Sequence, residues 1–298
     1  MRGRRGLQHR KPLEARKMLR KDQNARNDDG KLLLRATRTS RAQYEKTGAS
    51  RQNRALRGRV SARFERRAYP RPSYYRLYEY IARNCENYPT HEIGPIAKLL
   101  DINCGNRFVS LYSAGSGAHG LKEYVAEKNR DYLKDVEFAQ SDVVTTVIKC
   151  AGGETVTIVL DTTLPRCYSR GFQVCGTKGM ICEENRSVYL DTDFSEPDHW
   201  KWKEQFNNVD EYFEKYNHRL WKDYHPDDGG HGGMDFLVFG AFFSALEKGL
   251  PMPIDVYDMA TWMSISTLSD ESIATGNAVA FPDFTEGKWV TRKNTFEL

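Results

Sequence analysis

The chain has 298 residues, with 45 Lys+Arg against 40 Asp+Glu and a formal net charge of +5. That small total hides a division: residues 1–70 carry 22 Lys+Arg against 6 Asp+Glu (+16), and residues 71–298 carry 23 against 34 (−11). The division excludes a uniformly basic, nucleic-acid-coating protein, and no run approaches the roughly 18 continuous apolar residues of a membrane span.

Residues 1–72 show neither a helical nor a strand period, and their longest apolar run is Leu32-Leu33-Leu34. So little apolar surface cannot offset the entropy of ordering, so this basic segment is predicted to be disordered or not native protein sequence. Arg4 and Arg5 are not followed by an apolar stretch, so no signal peptide is expected in the chain as written. A basic arm can bind nucleic acid, but an acidic body adjoins this one, and no nucleic-acid partner is expected. The six cysteines form no CxxC pair and read as buried thiols.

Residues 73–298 are predicted to form one α+β domain. Tyr75 to Ala82 reads as an aromatic helix. The Asn87-Tyr88-Pro89-Thr90-His91 stretch breaks it, because the residue before a proline avoids helical angles. Thr90 is placed to cap a helix from Glu92 to Leu100, with Ile93, Ile96, Leu99 and Leu100 on one face. Phe108 to Ala114 reads as a strand and Leu121 to Lys128 as a helix. A run of strands follows at 142–149, 155–160, 168–175, 180–183 and 187–190, joined by glycine turns, which predicts an antiparallel meander with one face on a core. Val209 to Trp221 is predicted helical. Gly232 to Lys248 is apolar nearly all round, which predicts a buried helix. A last helix opens at Asp255, and Phe281 to Phe284 reads as a loop.

A Gly-x-Gly-x-x-Gly string occurs at Gly115, Gly117 and Gly120, between a strand and a helix. That context suits a pyrophosphate on a helix N-terminus. The strand before it is half polar and the next strands form hairpins, so a loop is the preferred reading. His225, Asp227, Asp228 and His231 crowd a glycine-rich loop without a helical scaffold, and no metal site is expected there. Tyr88, Thr90 and His91 put a phenol, a hydroxyl and an imidazole at a helix start; phenol and imidazole are proton-transfer groups. Judged alone, a packed capping turn explains them as well. Arg76, Tyr168 and Arg170 can bind hydroxyls, and the five tryptophans can stack on sugar faces, though each is more often core. No pair of carboxylates suited to ordinary glycoside hydrolysis stands out.

Five strings taken together carry a resemblance. They are Asn84-Cys-Glu-Asn-Tyr-Pro-Thr-His-Glu-Ile-Gly-Pro-Ile-Ala-Lys98, Pro165-Arg-Cys-Tyr-Ser-Arg170, Gly176-Thr-Lys-Gly179, Gly229-Gly-His-Gly-Gly-Met-Asp-Phe236 and Pro282-Asp-Phe-Thr285. In order and spacing they resemble glycoside hydrolase family 109, the NAD-dependent α-N-acetylgalactosaminidase-like branch of the glucose–fructose oxidoreductase (Gfo/Idh/MocA) family. The resemblance implies the family's C-terminal α+β domain, an open antiparallel or mixed sheet with helices on one face. It implies a carbohydrate substrate, a terminal α-N-acetylgalactosaminyl or related glycoside, and a homo-oligomer formed through the sheet. It also implies redox-assisted chemistry, in which NAD transiently oxidises the sugar at C3, a base removes the C2 proton, and the glycosidic oxygen leaves by elimination.

Carried over by position, His91 and Tyr88 are the expected catalytic pair. The expected substrate contacts are Arg76, Tyr88, Thr90, His91 and Tyr168, with His231 and Asp235 as further pocket residues. The family's NAD-binding Rossmann half needs about 150 residues. Only 72 residues precede the match here, without a Gly-x-Gly, so a truncated or frame-disrupted member that does not bind NAD alone is expected. The alternatives are a sugar oxidoreductase of the same superfamily and a non-catalytic carbohydrate-binding or oligomerisation module.

Overall fold

The computed structural model describes residues 53–61, 75–127, 131–166, 169–190, 205–216, 230 and 233–294. Helix α1 (Tyr75–Ala82) and helix α2 (Thr90–Leu99) lead into strand β2 (Phe108–Gly115) and helix α3 (Gly120–Glu127). Strands β3 (Val143–Cys150), β4 (Thr155–Asp161), β5 (Gln173–Gly176), β6 (Gly179–Cys182) and β7 (Ser187–Leu190) follow. Helices α4 (Val209–Tyr216), α5 (Met234–Glu247) and α6 (Val256–Thr275) precede a short strand β8 (Val279–Ala280). A strand β1 (Asn53–Ser61) stands ahead of them all.

The strands form one 8-stranded mixed sheet in the order β7-β6-β5-β1-β4-β3-β2-β8. The predicted hairpins are present, but β4 and β5 are not neighbours. Strand β1 lies between them, parallel to β4 and antiparallel to β5. Its register sets Leu56, Gly58 and Val60 level with Val156, Ile158 and Leu160, all fully buried on β4. The sheet thus takes in residues 53–61, which the sequence reading leaves outside the domain. The Leu-Arg-Gly-Arg-Val alternation of β1 over 56–60 is lost in the basic average of the first 72 residues.

Helices α2 and α6 cover one face of the sheet. Ile93 and Ile96 of α2 and Trp262 and Ile265 of α6 pack on Leu111, Ile148, Val156 and Ile158, and all eight are at most 1% exposed. Burying each large apolar side chain is worth roughly 1.5–3 kcal/mol, so this seam dominates the stability of the domain. The opposite face is partly open, with Tyr112 and Val147 exposed on β2 and β3. Helix α6 begins where the sequence predicts: Asp255 accepts from the amides of Tyr257 and Asp258, and Asp258 reaches back to the Asp255 amide.

Two local readings are corrected. Thr90 does not cap α2; it is the first helical residue, and Pro89, with φ of −70°, occupies the capping position. A proline already holds the helical φ, so the chain enters the helix one residue earlier. Helix α5 is not buried as its composition predicts. Only Met234, Ala241 and Ala245 are buried, while Phe236, Phe243 and Leu246 are more than half exposed. A helix apolar on every side cannot show which side is buried.

Strand β1 is bonded on both edges, so Arg57→Pro removes a ladder donor from the sheet centre. Thermal unfolding followed by circular dichroism should show a large drop in melting temperature. An unchanged midpoint would mean that β1 does not hold the sheet together.

Candidate functional site

The Tyr88–His91 turn is the junction between α1 and α2. Its two rings stack, with centroids 4.3 Å apart, and Tyr88 Oη lies 3.3 Å from His91 Nε2. The Arg76 guanidinium, one helix upstream, sits 4.3 Å from the centroid of the Tyr88 ring. Arg76, Tyr88 and His91 are each half-buried, with His91 Nδ1 turned to the interior and Nε2 toward Tyr88 Oη. Thr90, between the two rings in sequence, is buried.

The turn is fixed by hydrogen bonds from three directions. From α6, the Ser269 hydroxyl accepts from the Glu86 amide at 2.8 Å, and the Ser266 hydroxyl donates to the Glu86 carbonyl at 2.6 Å. From the segment before β3, Gln140 Oε1 accepts from the Cys85 amide and the Asn87 side chain, and Asn84 Oδ1 accepts from the Ser141 amide. From β4, the Val159 amide donates to Glu92 Oε2 at 2.9 Å. Buried backbone groups need partners, and this polar scaffold supplies them around the turn.

The sequence reading passes over two carboxyls that matter here. Glu86 is fully buried, and Glu92 is 3% exposed. Glu86 Oε1 accepts from the Tyr88 amide at 3.1 Å. Burial pushes Glu86 from 4.5 up to about 8, against backbone hydrogen bonding, which favours the charged form. Cys85 beside it is also pushed up by burial, to about 12, so it stays a thiol. The only sequence signal is position: both glutamates flank the Tyr-Pro-Thr-His string, next to residues that pattern as core.

The other candidates divide. Tyr168 and His231 lie outside the described residues, as do His225, Asp227 and Asp228. The loop leading to Tyr168 is anchored by Arg166, which lies 3.7 Å from Asp161 and donates to the Ser169 carbonyl at 2.6 Å. Asp235 stands on the first turn of α5, half-buried and folded back toward Gly230. Of the tryptophans, Trp262 is fully buried in the core. Direct contact therefore unites Arg76, Tyr88 and His91.

The glycine string holds no dinucleotide cradle. The carboxylate of Asp142 accepts from the amides of His119 and Gly120, both at 2.9 Å, and from the Thr163 hydroxyl. An internal anion already occupies the α3 N-terminus where a phosphate would bind. A side chain at position 120 would meet Thr163 Oγ1 at 2.3 Å, so Gly120 is required by close packing. The strand before the loop, β2, is antiparallel to both neighbours. The glycine string therefore does not fit the pyrophosphate of a bound NAD.

The domain model described as "Glycosyl hydrolase 109, C-terminal domain" matches residues 56–291. An α-N-acetylgalactosaminidase of Tannerella forsythia is 43% identical over 224 residues, 73% of this chain and 46% of that protein. A glycosyl hydrolase family 109 protein of Stenotrophomonas maltophilia is 43% identical over 222 residues, 72% of this chain and 47% of its own length. The chain thus spans about half the length of the curated relatives it matches. Among solved structures, a levoglucosan dehydrogenase in complex with NADH and levoglucosan superposes with a TM-score of 0.54 at 17% identity, covering 84% of this chain and 65% of that one. At that identity the likeness speaks for the fold alone, an α+β C-terminal domain of the Gfo/Idh/MocA type.

Two outcomes follow. Asp142→Ala should lower stability by about 1–2 kcal/mol, the usual cost of losing a helix-start acceptor, read as a lower urea midpoint. For Glu86 the folded state holds a proton that the unfolded chain releases between about pH 4.5 and about pH 8. Stability should therefore fall as pH rises through that window and level off above it. Melting temperatures across the pH range check this, and a rise with pH that Glu86→Gln leaves unaltered would contradict it.

Proposed function

Since the chain belongs to the glycosyl hydrolase 109 family through its C-terminal domain, we propose that it is the substrate-binding half of a glycosidase acting on terminal α-N-acetylgalactosaminyl or related glycosides. The observation that carries this reading is the Arg76–Tyr88–His91 cluster: a cation on α1 over the ring of a phenol, which in turn stacks on an imidazole of the following turn.

Each group has a use with a sugar. The Arg76 guanidinium presents planar donors to ring hydroxyls or an acetamido carbonyl. Tyr88 Oη and His91 Nε2, 3.3 Å apart, are a phenol and an imidazole of the kind that pass protons to or from a substrate hydroxyl or carbon acid. The rigid mounting of the turn keeps both groups oriented before the sugar arrives, which lowers the cost of binding. Tyr168, His231 and Asp235 are assigned to the same pocket on the family resemblance.

NAD is the family's cofactor, and a nicotinamide would supply reversible hydride removal. The glycine string offers it no cradle, so the proposal for this chain is confined to binding, orientation and proton handling. A carbohydrate-binding module is the second reading. Isotope exchange at sugar C2 with NAD added separates the two: exchange identifies a catalyst, and binding without exchange identifies a module.

Titrating an N-acetylgalactosaminide into the full chain by calorimetry tests the site. Arg76→Ala and His91→Ala should each weaken binding about tenfold, the scale of a charged or buried hydrogen bond, while Tyr88→Phe should cost about threefold. The variants must keep the parent melting curve. Equal affinity in all three would remove the site assignment.

A further inference from the structure

Glu86 is the one fully buried carboxyl whose bonds run directly to the site turn. Its backbone is pinned on both sides to α6, by Ser269 and Ser266. Its Oε1 faces the Tyr88 amide, and its Oε2, also buried, has no hydrogen-bond partner among the described residues. Arg83, the nearest cation in sequence, is committed to Glu79 and Asp270. Cys85 beside it is a neutral thiol, and the carboxyl of Glu92 faces the adjoining Val159 amide. His91 completes the titratable groups of the turn.

An ionised carboxylate in that position would leave one oxygen charged, dry and unmatched, which is costly. With its main chain held by α6, the side chain can reach water only if the turn in front of it shifts. The neutral acid costs less: Oε1 accepts the Tyr88 amide and Oε2 carries the proton, with no net charge left dry. We propose that Glu86 is a positioning residue for this site, whose neutral form holds the Tyr88–His91 turn in place and whose ionisation loosens the turn and weakens sugar binding. Only the last clause rests on the sugar-binding reading above.

The test uses the full chain labelled with 15N-tyrosine. The Tyr88 amide resonance should move with an inflection near pH 8, where burial places the ionisation of Glu86. The inflection should vanish in Glu86→Gln, which mimics the neutral acid, and persist in Glu92→Gln. Affinity for an N-acetylgalactosaminide should fall about fivefold from about pH 7 to about pH 9 in the parent chain and stay level in Glu86→Gln, as loss of one oriented contact would give. A Tyr88 amide with no inflection, or one that Glu86→Gln leaves in place, overturns the proposal. If Glu86→Gln does not fold, the parent and Glu92→Gln titrations decide alone: an inflection in both supports it, and its loss in Glu92→Gln assigns the effect to Glu92 and overturns it. An inflection with no sugar binding at any pH would instead sink the sugar-binding reading and leave the positioning role standing.

Discussion

A polar segment crosses the interior of this domain, and its main-chain groups must find hydrogen-bond partners there. Residues 83–92 run between α1 and α2 against α6, the 140–141 segment and β4. They carry two buried glutamates, an asparagine at each of two positions, and main-chain groups with no ladder of their own. An unpaired amide or carbonyl there would cost about 1–3 kcal/mol. The matches come from Ser266 and Ser269 on α6, Gln140 and Ser141, and the Val159 amide of β4. That network reaches three elements at once, so the turn cannot shift without breaking bonds to several of them. The rigidity of the Tyr88–His91 pair is inherited from it.

The same physics disposes of the glycine string. A helix N-terminus presents unsatisfied amides and a partial positive charge, and something must answer them. In a dinucleotide site that is a pyrophosphate. Here it is Asp142, placed one residue before β3 and also held by Thr163. The glycines serve close packing: Gly115 leaves room for Ser141 and Gly120 for Thr163. A motif with the right spacing thus performs a structural task because its anion is built into the chain.

The relation to the family follows from these parts. The chain matches the C-terminal domain of glycosyl hydrolase 109 and about half the length of its relatives. Its overall fold is shared with a levoglucosan dehydrogenase at a TM-score of 0.54. The exposed phenylalanines of α5 show that sheet and helix layers alone do not cover all of its apolar surface.

Much of this was legible in the sequence because local signals and tertiary structure agree. The 3.6 period of α2, the start of α6 at Asp255, the β-branched run of β3 and the alternation of β4 each have a local physical cause, and each stands where the pattern puts it. The Tyr-Pro-Thr-His string was legible as a turn for the same reason. Three things were settled only by the fold. Strand β1 reads as basic coil until β4 and β5 flank it, because a central strand is defined by its neighbours' ladders. Helix α5 gives no clue to its exposed side, because uniform composition carries no direction. Glu86 and Glu92 look like surface residues, because a charge pattern records residue type but not depth; only packing against α6 and β4 made them interior groups.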